Sequence, residues 1–224
     1  QGFSDPSLLN LYITTNFNIA TIHMENISEF AMNPRYKNLQ DNIDFLFSED
    51  KEFVQESFPK FQKEEFEEGN LNGYNLTEEN IYECNKGNVT FEGRIIGGCI
   101  DAIKNILGTK YDYTKKFIEK YKEDGIIWYF DIFSLTAEDF YLLLIQMKEA
   151  GWLDHLKGVI VGRVKYPNSF VEMTYQDALK KVLDVPVIFN ADIGHVAPKM
   201  TIINGSIATI TSSNGKGTIT QELI

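Results

Sequence analysis

Gly125-Ile126-Ile127-Trp128-Tyr129-Phe130-Asp131-Ile132-Phe133 decides the fold. The run from Ile126 to Phe133 is strand-sized and continuously apolar apart from Asp131, the pattern of a strand buried on both faces in a parallel sheet. Downstream, Thr136 opens a helix through Ala150, with Asp139 three residues on and Gly151 placed to end it. Gly158 to Val164 reads as a second buried strand, Thr174 to Leu183 as another capped helix, and Val187 to Phe189, after Pro186, as a third strand. Upstream, residues 89–96 alternate as a strand ending in Gly97-Gly98, and Ile100 to Leu107 have helical spacing before Gly108. This alternation predicts an α/β domain with a mainly parallel sheet. Ile207 to Thr211 and Gly217 to Thr220 flank Asn214-Gly215, which predicts a terminal hairpin.

The amino-terminal texture differs. Residues 2–16 read as a turn leading into a helix, with Pro6 in its first turn and Ser4 able to cap it, and Ile19 to His23 reads as a short strand. The acidic stretch Glu49 to Glu68 carries Phe53, Phe58, Phe61 and Phe66, which predicts an amphipathic, partly helical surface segment. Gly and Asn crowd between Gly69 and Gly87, so a boundary is expected there, dividing the chain into residues 1–80 and 81–224.

With 224 residues, 43% of them hydrophobic, the chain can bury a substantial core. Its formal net charge of −11, with no basic patch, argues against nucleic acid or an anionic membrane as partner. No apolar run is long enough to span a bilayer, and Gln1-Gly2-Phe3-Ser4-Asp5 has no signal-peptide pattern, so a cytoplasmic location is expected. Cys84 and Cys99 show neither metal nor redox spacing, and a disulfide is not expected. Four Asn-x-Ser/Thr sequons, at Asn26, Asn75, Asn88 and Asn204, carry little meaning without a secretory signal.

Serine hydrolysis needs a hydroxyl on a sharp turn, a neutral imidazole, a carboxylate to orient it and backbone donors for the oxyanion. Ser4 lies between Gly2 and a helix start, although by local pattern alone a plain helix cap is the better reading. His195 sits in the turn-rich loop Asn190 to Pro198 directly after a strand, where functional groups of α/β folds gather. His155 reads as a surface or packing residue and His23 as a structural histidine. Asp131 would be costly unpaired within its strand, so it either meets a partner such as a histidine or caps the following loop. The histidines lack metal-ligand spacing, and Gly93 to Gly98 fits no phosphate-loop pattern, so neither a metal nor a cofactor is expected.

Several stretches in order carry a resemblance: Gly2-Phe3-Ser4-Asp5, Thr21-Ile22-His23, Ser28-Glu29-Phe30-Ala31, Gly93 to Cys99, Leu107-Gly108-Thr109, Gly125 to Trp128, Met147 to Trp152, Gly158 to Arg163 and Asp192-Ile193-Gly194-His195. Together they resemble the serine peptidase family of L,D-carboxypeptidases, including its microcin C immunity branch. The resemblance implies the remnant of an N-terminal nucleophile domain followed by a C-terminal α/β domain, read as an N-terminally truncated member. It implies Ser4 as nucleophile, His195 as base, Asp131 as the third member, the backbone N–H of Asp5 as an oxyanion donor, and Gly97 and Gly98 at the substrate.

The family's third member is normally glutamate, so the shorter Asp131 is expected to reach His195 only if the two backbones approach. The stretch that precedes the nucleophile turn in the family, with its strand and second oxyanion amide, does not precede Ser4 in this sequence, and a poorly held turn is expected. Pro6 stands where the family has a different small or branched residue, and Met24-Glu25 replaces a Gly-Pro. The implied substrates are the terminal D-alanine bond of a murein tetrapeptide or a microcin C-type aminoacyl nucleotide, cut by a homodimer. The Trp128 strand and Phe30-Ala31 lie closer to the second branch. The rival expectations are a diverged homologue with little activity and a binding module in which Ser4, Asp131 and His195 do not meet.

Overall fold

The computed structural model describes residues 1–64 and 72–223. Helices are α1 (Pro6–Phe17), α2 (Lys37–Leu46), α3 (Ile100–Ile103), α4 (Thr114–Lys120), α5 (Ala137–Glu149) and α6 (Tyr175–Val182). The short strands are β1 (Thr21–His23), β2 (Glu52–Glu56), β3 (Lys60–Phe61), β4 (Glu78–Glu79), β5 (Glu83–Cys84) and β10 (Ile202–Asn204). The longer ones are β6 (Val89–Cys99), β7 (Ile126–Asp131), β8 (Leu156–Gly162), β9 (Val187–Ala191), β11 (Ile207–Ser213) and β12 (Lys216–Glu222).

The main sheet runs β2-β12-β11-β6-β7-β8-β9-β5. Its centre, β6 to β9, is parallel, and antiparallel strands flank it on both sides. Strand β7 is buried along its whole length. Because side chains alternate across a strand, Trp128 and Phe130 enter the core shared with α5 and α6, while Ile127 and Tyr129 enter a second core beneath β10 and β11. Asp131 follows that second phase, so the one acid of the run ends on the face where β1 and β10 pair. The hairpin closes at Asn214 and Gly215, both with positive φ (52° and 78°), as a two-residue turn matched to strand twist requires.

The helices obey their caps. Thr136 Oγ1 accepts the N–H of Asp139 at the start of α5, Gly151 follows its end at φ 79°, and Thr174 with Asp177 forms a reciprocal box at α6. The segment expected as one helix from Ile100 to Leu107 is instead a single turn, α3, followed by a 3₁₀ turn at Lys104–Ile106. The acidic stretch departs further. Its described part forms β2 and β3, because β2 pairs antiparallel with β12, a partner far away in sequence that outweighs local helical spacing. Residues 65–68, with Phe66, lie outside the described residues, as do Gly69 and Asn70 of the expected boundary. In the described part of that segment, Tyr82 N–H donates to Gly215 O, and Asn85 Oδ1 accepts the N–H of Val187. No helix of the described residues is long and apolar enough to cross a membrane.

Trp128 and Trp152 stack at 5.5 Å between ring centroids, and Trp128 Nε1 donates to Trp152 O at 2.7 Å. Trp128→Ala is expected to lower unfolding free energy by about 3–5 kcal/mol. Urea unfolding followed by circular dichroism measures this, and the exciton signal of the stacked indoles should vanish with it.

Candidate functional site

Three side chains from distant segments meet at the carboxyl end of β7. His195 Nε2 lies 3.1 Å from Ser4 Oγ across 191 positions of sequence, and His195 Nδ1 lies 2.9 Å from Asp131 Oδ1 across 64. The imidazole sits between the rings of Phe3 and Phe133, each with its centroid 4.5 Å away, which limits its rotation.

Ser4 does not cap α1. The helix begins at Pro6 with Asp5 in the cap position and no side-chain cap, while Ser4 takes φ 61°, a left-handed conformation that a capping residue in the β region does not adopt. That turn presents the hydroxyl to His195. The expected looseness of the turn is also not what the structure has: Gly2 N–H donates to Ile22 O, and Asn10 Nδ2 reaches both Gly2 O and Ile22 O, tying the turn to β1. Asp5 follows Ser4 at the exposed amino end of α1, with its amide at the positive end of the helix.

Asp131 is fully buried and meets the histidine. The loop it could have capped is capped by Asp101, whose carboxylate accepts the N–H groups of Phe133 and Ser134. The close backbone approach demanded by an aspartate comes from glycine. A Cβ on Gly194, at φ 94°, would lie 2.1 Å from Asp131 Oδ1, and one on Gly162 would lie 2.2 Å from Ile193 O. The histidine loop therefore lies directly against β7 and β8, and the missing methylene is made up by main-chain proximity.

Gly97 and Gly98 are buried. A Cβ on Gly97 would strike Tyr129 O at 2.0 Å, and one on Gly98 would strike Ser7 Cβ at 2.6 Å, so they permit the packing of β7 and α1 on β6. His23 is buried as a structural histidine, with Nδ1 3.4 Å from Ser7 Oγ, and burial pushes its pKa down to about 4 despite the nearby Asp131. His155 is exposed on the surface near Glu119. Asn204, although part of a sequon, is fully buried and accepts the N–H of Gly97. Cys84 and Cys99 are free thiols.

Sequence reasoning missed the groups that hold the histidine loop. Arg163, following β8, pairs with Asp192 at 2.8 Å and donates to Val196 O and Pro198 O. Asp192 in turn accepts from Phe58 N–H, Asn80 and Tyr82. The signal was present: an arginine directly after a buried strand and an aspartate beside the candidate base. Under the Ser4 turn, Lys199 Nζ lies 4.1 Å from the centre of the Phe3 ring and 3.3 Å from Glu29. Glu25, held by Asn38 and Asn42, has its pKa pushed up to about 7 by burial, against the pull of Lys199. A cleft of about 770 Å³ adjoins the histidine loop at Val196, lined also by Phe61, Lys63, Arg163, Lys165 and Tyr175.

Residues 92–210 match the family described as LD-carboxypeptidase C-terminal domain. No curated protein sequence matches the chain. Among solved structures, it resembles an MccF-like protein from Bacillus anthracis str. Ames, with TM-score 0.74 and 23% identity over 100% of this chain and 67% of the other. It also resembles the wild-type apo form of the microcin C7 self immunity protein MccF, with TM-score 0.76 and 19% identity over 99% and 67%. A third is the muramoyltetrapeptide carboxypeptidase from Oxalobacter formigenes, with TM-score 0.70 and 17% identity over 99% and 67%. At such identities the likeness is one of fold. The chain spans about two thirds of the length of these proteins.

Gly194→Ala should push Asp131 away from His195, and the low-field proton signal of a hydrogen-bonded imidazole Nδ1–H should disappear from the NMR spectrum, as in Asp131→Asn. His23 gives a pH dependence. Its folded pKa lies below the ordinary 6.5, so the unfolded chain takes up a proton first, and stability falls as pH drops from 6.5 to about 4, by about 3 kcal/mol in all. Unfolding free energies of wild type and His23→Gln across this window should diverge by that amount, with the variant showing the shallower slope.

Proposed function

Because the chain belongs to the LD-carboxypeptidase family, as the match over residues 92–210 shows, we propose that it hydrolyses an amide bond by serine catalysis. The observation that carries this is the unbroken relay from Ser4 Oγ through His195 to Asp131, at 3.1 and 2.9 Å. Both spacings are in hydrogen-bond reach, and no local pattern would bring three such groups together across 191 positions of sequence.

Ser4 Oγ attacks the carbonyl carbon while its proton passes to His195 Nε2. Asp131, accepting from Nδ1–H, keeps Nε2 free of a proton in the resting state and stabilises the imidazolium once it forms. The negative charge on the carbonyl oxygen develops beside the Asp5 amide at the amino end of α1. Collapse expels the amine, which takes the proton from His195, and water then repeats the sequence on the acyl-serine.

Two substrate classes fit this chemistry: a peptide ending in D-alanine, as for the muramoyltetrapeptide carboxypeptidase, and an aminoacyl nucleotide, since an MccF structure holds aspartyl sulfamoyl adenosine. The cleft beside Val196, with aromatic Phe61 and Tyr175 and cationic Lys63 and Lys165, is suited to the remainder of either molecule.

Purified chain is expected to release D-alanine from L-Ala-D-Glu-diaminopimelate-D-Ala or to cleave an aminoacyl sulfamoyl adenosine, and Ser4→Ala to slow this by at least about 10³-fold. Asp131→Glu is expected to slow it too, since the shorter acid already reaches His195 and the Gly194 backbone leaves no room for a further methylene. Failure to turn over both substrate classes overturns the reading.

A further inference from the structure

Directly across the sheet from Asp131 stands Cys99: the two are Cα partners in the β6–β7 ladder, and Cys99 is a buried free thiol. Its Sγ, a carboxylate oxygen of Asp131 and a ring nitrogen of His195 all lie within 4.8 Å of one another. Thiolate, carboxylate and imidazole are the ligands of tetrahedral zinc, whose bonds of about 2.0–2.3 Å set ligand atoms roughly 3.3–3.6 Å apart. A small opening of the 2.9 Å His195–Asp131 pair, with the thiol drawn in, brings all three onto one ion.

A second observation points the same way. Asp131 Oδ1 is engaged by His195, but Oδ2 of this fully buried carboxylate has no hydrogen-bond donor among the described residues. A buried anionic oxygen without a donor is unfavourable, and a cation coordinated there would relieve it. Access is from the histidine side, where the ring keeps 12% exposure.

We propose that Cys99, Asp131 and His195 form an inhibitory site for a thiophilic divalent cation, zinc foremost. The inhibition, as distinct from the binding, rests on the serine-hydrolase reading of the same residues. In the working tautomer Nδ1 carries the proton given to Asp131, and the Nε2 lone pair faces Ser4. A cation between Nδ1 and Asp131 needs the Nδ1 lone pair, so the ring proton moves to Nε2, where it points at Ser4 Oγ and no base remains. The Cys99 thiol gives its proton to solvent as the sulfur–metal bond forms. Hard cations such as magnesium, which disfavour sulfur, are poor occupants. This ion is not a cofactor of hydrolysis, and no sequence spacing announces it because its ligands come from two adjacent strands and a loop.

Cobalt(II) titration of the purified chain reads the site without any substrate. The expected result is one equivalent bound, with a thiolate-to-cobalt charge-transfer band that zinc displaces and magnesium does not. The band should persist in Cys84→Ser, which keeps Cys99 as the sole thiol, and vanish in Cys99→Ser and Cys99→Ala. Zinc should also block hydrolysis by the wild type, and Cys99→Ser should need at least about tenfold more zinc for the same block. Loss of the band in Cys84→Ser, or its survival without Cys99, overturns the proposal, and the Cys84→Ser arm decides it even if the Cys99 variants do not fold. Cobalt binding through Cys99 in a chain that hydrolyses nothing upholds the metal site and removes the peptidase reading. Hydrolysis with no thiolate band removes the metal site alone.

Discussion

The ion pair between Arg163 and Asp192 is buried on both sides, with 6% and 0% side-chain exposure, and the arrangement around His195 depends on it. Two charges so far from water are tolerated only where donors and acceptors surround them. Here Asp192 collects Phe58 N–H, Asn80 and Tyr82, while Arg163 Nη2 donates to Val196 O and Pro198 O and Nη1 also reaches Asn80 Oδ1 and Asn190 O. The end of β8, the residues Phe58, Asn80 and Tyr82, and the histidine loop are thereby joined at one point. Removing one partner would strand the other charge, a loss of about 3–5 kcal/mol, and would free the carbonyls on either side of the loop's turn.

From that anchor the loop passes Gly194, whose lack of a Cβ lets Asp131 touch the imidazole. The Ser4 turn approaches from the other side, held by β1 through Gly2 and Asn10, with Phe3 packed between His195 and the Lys199 ammonium. Lys199 is itself balanced by Glu29. The positions of Ser4 and of His195 thus rest on separate polar clusters, one on each side of the imidazole.

How much of this the sequence revealed depends on the range of the forces involved. The apolar run of β7, the Thr136 and Thr174 caps and the Asn214-Gly215 turn are local signals, and each forms where the sequence places it. Strand β2 was illegible because its identity comes from β12, and α2 and α4 carried no capping signal strong enough to announce them. At the site, His195 could be found from its loop, but Ser4 looked like a helix cap until its φ of 61° and its long-range partner were seen. Gly194 and Arg163 act only through neighbours brought close by folding. A single sequence shows Gly194 as an ordinary turn residue and Arg163 only as a cation directly after a buried strand, without the partners that give it its place.

The wide separation of Ser4 from His195, 191 positions, has a consequence for biosynthesis. Synthesis from the amino terminus makes Ser4 long before His195, and the strand that seats the Ser4 turn, β1, must wait for β10, where Thr21 pairs with Asn204. Closing so long a loop is entropically unfavourable until the parallel sheet between them has formed. A nascent or half-folded chain therefore carries the Ser4 hydroxyl with no imidazole beside it, and the contact with His195 forms only as folding is completed.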